Sequence, residues 1–405
     1  MYRRLRGAWL IFTALSIAAC AGAARREHPI YWYDAAAPVG FPEEVRSVVE
    51  DRASFEKETA RFVAEVRRAS GGGTVNVLAL SGGGAGAAFG AGALTGLSRA
   101  GVRPQFDVVT GVSAGALTAP FAFLGSAWDD ELTDSFSGQR SAKLVQFSLV
   151  GLLFGSSVLR GKPLADLVNH YATEEMLRAV AVEAAKGRLL LIATTDLDSE
   201  RTVIWNMGAI AMRGGPAALT LFRQVLIASA SIPGLFPPVL IPVETSGTIL
   251  EEMHVDGSTT ASMFIAPEIA SVLPDELAGL RGANIYVIAN GRYGTPTITT
   301  RVRTLAIAKR GIEASLQSST RGAILAGLAL ATRNEMHFKV TAIPDDYPFQ
   351  GLFDLKPERM RDLFTFGAEC AMRGELWTTT EGLLQRSFRA SLVLPGSIPK
   401  CPAPL

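Results

Sequence analysis

Two short apolar runs in this chain each break into glycines and then into a helical stretch, and that repeated strand, turn and helix order restricts the fold more than any other feature. The first run is Val75–Leu80, followed by Ser81-Gly82-Gly83-Gly84 and a helical pattern from Ala87 to Ala100. The second is Phe106–Thr110, which leads into Gly111-Val112-Ser113-Ala114-Gly115 and another apolar helix. Further strand-like runs stand at Leu189–Thr194, Val239–Val243, Met253–Asp256 and Ile285–Ala289, with helical patterns between them. Such alternation predicts an α/β domain with a mainly parallel sheet.

Gly111-Val112-Ser113-Ala114-Gly115 has the form G-x-S-x-G, set between a strand and a helix as a nucleophile elbow requires. Gly111 and Gly115 suit a turn too sharp for Cβ atoms, and Ser113 is left at the top of the sheet. A helix starting just after it aims backbone N–H groups, Ala114 first, at the anion formed when a serine attacks a carbonyl.

The glycines after Leu80 serve either of two chemistries, because backbone donors at close approach suit a pyrophosphate as well as an oxyanion. Gly82, Gly84 and Ala87 fit the dinucleotide pattern G-x-G-x-x-G/A. A nucleotide site would also need an acidic residue at the end of the second strand. Asp107 lies at that strand's beginning, and its end carries Ser113 instead. The oxyanion reading therefore prevails.

A serine nucleophile needs a base, ordinarily a histidine oriented by a carboxylate. The chain has four histidines, His28, His170, His254 and His337. His28 lies in a proline-containing stretch and His170 in a helical pattern. His254 and His337 read as strand residues and are expected to be structural, although either would complete a Ser-His-Asp lipase or thioesterase. Asp256-Gly257-Ser258 follows a short apolar strand, and Gly257 permits a tight turn that could direct the carboxylate toward Ser113. By itself this is also an ordinary Asp-Gly turn.

Together these residues resemble the patatin-like phospholipase family, which carries a glycine-rich oxyanion loop, then G-x-S-x-G, then D-G-G or D-G-A. Ser81–Gly84, Gly111–Gly115 and Asp256-Gly257 match in order, and Ala228–Pro238 resembles the family's A-S-x-A/S-x-P-x-x-F-P-P segment. Thr194–Asp198 and Val203–Asn206 are also similar to bacterial members. The resemblance implies a three-layer α/β/α domain and a Ser113-Asp256 dyad that works without histidine. It implies an oxyanion hole formed by Gly82, Gly83, Gly84 and Ala114, and lipid acyl esters as substrates. Where many members have Arg, Lys or Asn the chain has Gly86, where they have Gly it has Ala87, and the dyad motif ends in Ser258 rather than Gly or Ala. The altered loop keeps open a catalytically idle protein that binds lipid or a partner. No cofactor and no metal is expected, since neither a His/Cys cluster nor a calcium-loop pattern is present in the sequence.

Arg3, Arg4 and Arg6 precede an apolar run from Ala8 to Ala19, too short to span a bilayer. Leu15–Cys20 resembles a bacterial lipobox, so residues 1–19 are expected to be a signal peptide and Cys20 a lipidation site. The simpler alternative is an ordinary signal cut among Ala19 to Ala23. Either route exports the chain, the first to the cell envelope, anchored by lipid at the outer membrane and facing the periplasm, with membrane lipid as its partner. With 39 basic and 38 acidic residues and no dense basic run beyond the N-terminus, nucleic acid is an unsuitable partner. Residues 20–42 read as a tether, 43–73 as an amphipathic helix ending at Gly71-Gly72-Gly73, 74–375 as the hydrolase domain, and 376–405 as a tail. Cys370 and Cys401 are free to pair in an oxidising compartment or to remain thiols. Leu144–Leu159, without a charge, is either a buried helix or an apolar lid.

Overall fold

The computed structural model describes residues 36–48, 62–137, 162–265, 280–294, 299–378, 382 and 399–402. Residues 1–19, expected to be a signal peptide, Cys20, His28 and the uncharged stretch Leu144–Leu159 lie outside the described residues. Among the described residues ten strands form one sheet: β1 (Ala37–Pro38), β2 (Arg46–Val48), β3 (Asn76–Leu80), β4 (Val108–Val112), β5 (Leu189–Asp196), β6 (Arg201–Asn206), β7 (Val239–Thr245), β8 (Thr248–Asp256), β9 (Asn284–Arg292) and β10 (His337–Ile343). Its centre, β5-β4-β3-β9-β10, is parallel throughout. The strands added beyond β5, namely β8 with β7 and β1, and β6 with β2, pair antiparallel.

Alternate side chains of each central strand enter different cores, as the two-residue period of a strand dictates. Leu78 and Leu80 of β3, with Tyr286 and Ile288 of β9, face one core. That core is covered by helices α1 (Ala87–Arg99), α2 (Ala114–Leu124), α3 (Asp129–Ser137), α4 (Lys162–Tyr171), α5 (Glu174–Ala185), α6 (Met207–Arg213), α7 (Gly215–Ser229) and α9 (Pro357–Met372). Val77 and Ala79, with Ile285 and Val287, face the other, covered by helical residues 62–69 and by α8 (Thr304–Arg333). The result is the expected three-layer α/β/α architecture. Both faces of the central strands are buried, which explains why they read as continuous apolar runs.

Helix α9 lies so close on α1 that a Cβ on Gly92 would stand 1.9 Å from the Phe364 carbonyl oxygen, and one on Gly96 2.3 Å from that of Ala368. Gly92 and Gly96 are thus a docking face for α9, and they cost α1 intrinsic stability in exchange for close packing.

The N-terminal segment differs from its expectation. Glu43–Val45 forms a 3-10 turn and Arg46–Val48 a strand on β6, and helix is found at 62–69. The fixed point is Arg46, whose guanidinium is buried against the Glu252 carboxylate and the Ala36 carbonyl. At the other end of the chain, Cys370 on α9 is bonded to Cys401 with Cα atoms 5.5 Å apart, so the cysteines pair. Among the described residues no helix is long and apolar enough to cross a membrane.

Candidate active site

The site forms where one strand stops and another takes over its position beside β5. Along one edge of β5 runs β6, pairing as far as Asp196. The opposite edge is held first by β4, whose last pair is Val112 with Ala193, and then by β8, whose Asp256 pairs with Thr194. Strands β4 and β8 therefore meet end to end, and the residues at the junction are Ser113 and Asp256. Close contact there requires Gly257, since a Cβ on it would lie 2.4 Å from the Ala193 carbonyl oxygen.

Ser113 connects β4 to α2 with φ 56° and ψ −128°, a conformation that L residues seldom adopt and that marks a sharp, strained elbow. The strain is held from both sides. A Cβ on Gly115 would stand 2.5 Å from the carbonyl oxygens of both Leu80 and Ser81, and one on Gly111 2.8 Å from the Gly115 carbonyl. The Ser113 N–H donates to Ser229 Oγ at 3.0 Å, and that hydroxyl donates to the Ala193 carbonyl at 2.7 Å. Helix α7 is thereby tied to the elbow.

Ser113 Oγ donates to Asp256 Oδ2 at 2.6 Å. The other carboxylate oxygen accepts the Ser258 N–H at 2.8 Å, and the Asp256 N–H donates to the Ser231 carbonyl at 2.9 Å. Asp256 is only 1% exposed. Burial pushes its carboxyl up to about 6, and the hydrogen bonds from Ser113 and Ser258 oppose a larger rise. Such a carboxylate is ionised at neutral pH, yet is far more basic than an exposed one.

Of the four expected oxyanion donors, Gly82 is engaged elsewhere, because its N–H donates to the Ser262 carbonyl at 2.9 Å. Its role is clearance: a Cβ there would meet Ser258 Oγ at 2.3 Å and Ser113 Cβ at 3.1 Å. Among the described residues the N–H groups of Gly83, Gly84 and Ala114 have no protein acceptor. Gly84 turns with φ 52°, and a side chain on Gly83 would collide with the Asn290 backbone. Asn290, which the sequence reading did not single out, braces this loop: its side-chain amide donates to the Ser81 carbonyl at 2.7 Å and its N–H to Ser81 Oγ at 2.8 Å.

The three described histidines, His170, His254 and His337, stand elsewhere. His337 opens β10 and pairs with Asn284 at the start of β9, the opposite end of the parallel strands from Ser113. His254 is fully buried, with Nδ1 at 3.0 Å from Thr194 Oγ1 and Nε2 at 3.1 Å from Glu252 Oε2. Burial pushes the Glu252 carboxyl up, but His254 and Arg46 together pull it down to about 2. His170 lies on α4 with its ring against Tyr171. Among the described residues no group of three His, Cys, Asp or Glu side chains is placed to hold a metal ion.

A cavity of about 570 Å³ opens at Gly84, Ser113 and Ala114 and is lined by apolar side chains such as Leu117, Phe121, Met176, Leu226 and Phe236. This volume falls in the usual range for small-molecule sites. Ser113 thus has a basic partner on one side, free N–H donors on another, and an apolar chamber in front.

Residues 78–268 match the family model described as patatin-like phospholipase. The chain carries a patatin-like phospholipase domain. The matched segment of this domain runs from β3 to beyond β8, and so contains the glycine loop, Ser113 and Asp256. Among solved structures, the crystal structure of VipD from Legionella pneumophila is similar at 12% identity, over 74% of this chain and 67% of that one, with a TM-score of 0.32. No curated protein sequence matches the chain.

Proposed function

We propose that this patatin-like protein is an exported serine acyl hydrolase that releases fatty acid from membrane phospholipids or lysophospholipids. The observation that carries the reading is the Ser113 Oγ to Asp256 Oδ2 hydrogen bond at 2.6 Å, inside an otherwise apolar chamber. In acylation Ser113 Oγ bonds to the ester carbonyl carbon while Asp256 takes its proton. The N–H groups of Gly83, Gly84 and Ala114 receive the negative charge that develops on the carbonyl oxygen. As the tetrahedral intermediate collapses, Asp256 returns the proton to the departing alcohol. Water then repeats the sequence on the acyl-serine and frees the fatty acid.

The chamber suits an acyl chain, and Lys309 and Lys356 line the same cavity as counter-charges for a headgroup phosphate. Asp354, which also lines it, is held by Arg359 at 2.6 Å. Export is supported by the lipobox-like Leu15–Cys20 and by the Cys370–Cys401 disulfide, a bond that persists in oxidising compartments. Anchoring through lipidated Cys20 would keep the chamber near its substrate.

A fluorophosphonate probe followed by peptide mass mapping tests the reading. Modification of Ser113 in the wild type, lost in Asp256→Asn, is the expected result. Absence of labelling in the wild type would favour a protein that binds lipid without hydrolysing it.

A further inference from the structure

Ser258 lies in the 3-10 turn Gly257–Thr259 that follows β8. Its N–H is the donor to Asp256 Oδ1, but its hydroxyl oxygen is buried and, among the described residues, has no hydrogen-bond partner. That hydroxyl lies beside the nucleophile, because one point, the place of a Cβ on Gly82, falls 2.3 Å from Ser258 Oγ and 3.1 Å from Ser113 Cβ. It is also near enough to the Asp256 carboxyl to help keep it ionised. Thr260, two residues on, has its hydroxyl bonded to both Thr195 and Thr202. Leaving a buried hydroxyl unpaired is destabilising, and Gly or Ala at this position would avoid that cost.

In the resting site the hydroxyl makes no hydrogen bond among the described residues, but the acyl-enzyme gives it one to make. Asp256 Oδ2 accepts a hydrogen bond from Ser113 only while Ser113 Oγ carries its proton. Once acylated, that oxygen belongs to an ester and has no hydrogen to donate. A carboxylate 1% exposed then loses a donor at the stage when it must serve as base toward water.

We propose that the Ser258 hydroxyl takes over this role, donating to the Asp256 carboxylate in the acyl-enzyme and holding it in place for deacylation. The inference rests on the acyl-hydrolase reading. In the step concerned, the water oxygen bonds to the acyl carbon and its proton passes to Asp256. The bond from that carbon to Ser113 Oγ then breaks, and Ser113 Oγ recovers the proton from Asp256. Ser258 acts through Asp256 and is a positioning residue. Acylation does not need it, because Ser113 supplies the hydrogen bond itself.

The test uses the full chain in detergent with a p-nitrophenyl ester of a medium-chain fatty acid, comparing wild type, Ser258→Ala and Ser258→Thr. Ser258→Ala is expected to keep its rate of fluorophosphonate labelling while steady-state turnover falls roughly ten-fold or more, the effect of a lost hydrogen bond to a charged group. Intact-mass measurement should then find acyl-Ser113 accumulating, and Ser258→Thr should restore turnover. Unchanged turnover in Ser258→Ala would overturn the proposal, as would an equal fall in labelling and turnover. A wild type that neither labels nor turns over would refute the acyl-hydrolase reading itself and this inference with it; the failure would then lie in the parent protein, not the variant.

Discussion

The Ser113 hydroxyl reaches the Asp256 carboxylate at 2.6 Å although 143 positions of sequence separate the two residues. Consecutive residues of β5 bring them together, Ala193 pairing with the end of β4 and Thr194 with the end of β8. The distance is therefore set by backbone pairing in the sheet, with no mobile loop between the pairings and the two residues, as a reaction sensitive to small displacements requires.

Asp256 should make activity and stability respond to pH in opposite senses. Its carboxyl is pushed up to about 6 in the folded chain, against about 3.9 for an unfolded aspartate. The folded state therefore binds the extra proton, so this residue's contribution to stability is greatest below about pH 4 and is lost as pH rises toward 6. Activity needs the ionised form and should fall below about pH 6. Asp256→Asn should be inactive yet more stable than wild type at pH 7, by on the order of 2–3 kcal/mol, with the difference vanishing near pH 4. Urea unfolding of both proteins across this range measures it, and equal stability at pH 7 would contradict the account.

His337→Ala should leave hydrolysis within about two-fold of wild type, since His337 lies at the far end of the strands. His254→Ala should lower stability, because it removes partners of the buried Thr194 hydroxyl and Glu252 carboxylate, while Ser113 still labels. Loss of labelling in a folded His337→Ala would restore the Ser-His-Asp alternative.

Arg46 and Glu252 form a buried ion pair between an N-terminal strand and the strand that carries Asp256. Removing one partner leaves an uncompensated buried charge, so Arg46→Met should cost about 3–5 kcal/mol. Because the Glu252 carboxyl is held down to about 2, the pair's stabilisation is complete above about pH 4.5 and is lost as pH falls toward 2. Urea midpoints at pH 7 check the first statement, and acid unfolding of wild type against Glu252→Gln the second.

Gly115→Ala offers a test of sign. Helix propensity alone favours alanine by about 1 kcal/mol. A Cβ at Gly115, however, would meet two backbone carbonyl oxygens at 2.5 Å, so net destabilisation of about 1–3 kcal/mol is expected, together with slower labelling of Ser113. Among the described residues nothing lies within 4 Å of the Cβ position of Gly311 in α8, and Gly311→Ala should stabilise by about 0.5–1 kcal/mol. Melting temperatures of the two variants decide whether close approach or propensity governs at Gly115.

The central strands and the elbow were legible because their signals are local: apolar runs buried on both faces, glycines where Cβ atoms would collide, and a serine between strand and helix. The N-terminal strands were not, since Val45 and Val48 suit a helix as well as a strand and the ion pair that fixes Arg46 comes from the distant Glu252. The same pair hid the start of β8, where a buried glutamate breaks the apolar alternation of Thr248–Asp256. Within the site, Ser113 and Asp256 were found by motif. The support from Ser229 and Asn290 depends on pairings across the sheet, and Gly82 looked like a donor because the sequence cannot show that Ser262 already takes its N–H.

Fatty-acid release from mixed phospholipid micelles by the full chain, beside Ser113→Ala and Asp256→Asn, tests the central claim most directly. The account predicts release by the wild type and a loss of at least about a thousand-fold in both variants, which remain folded, since nucleophile and base act as one unit. Release that survives in a folded Asp256→Asn at a wild-type rate would contradict it, and would mean that another group takes the Ser113 proton.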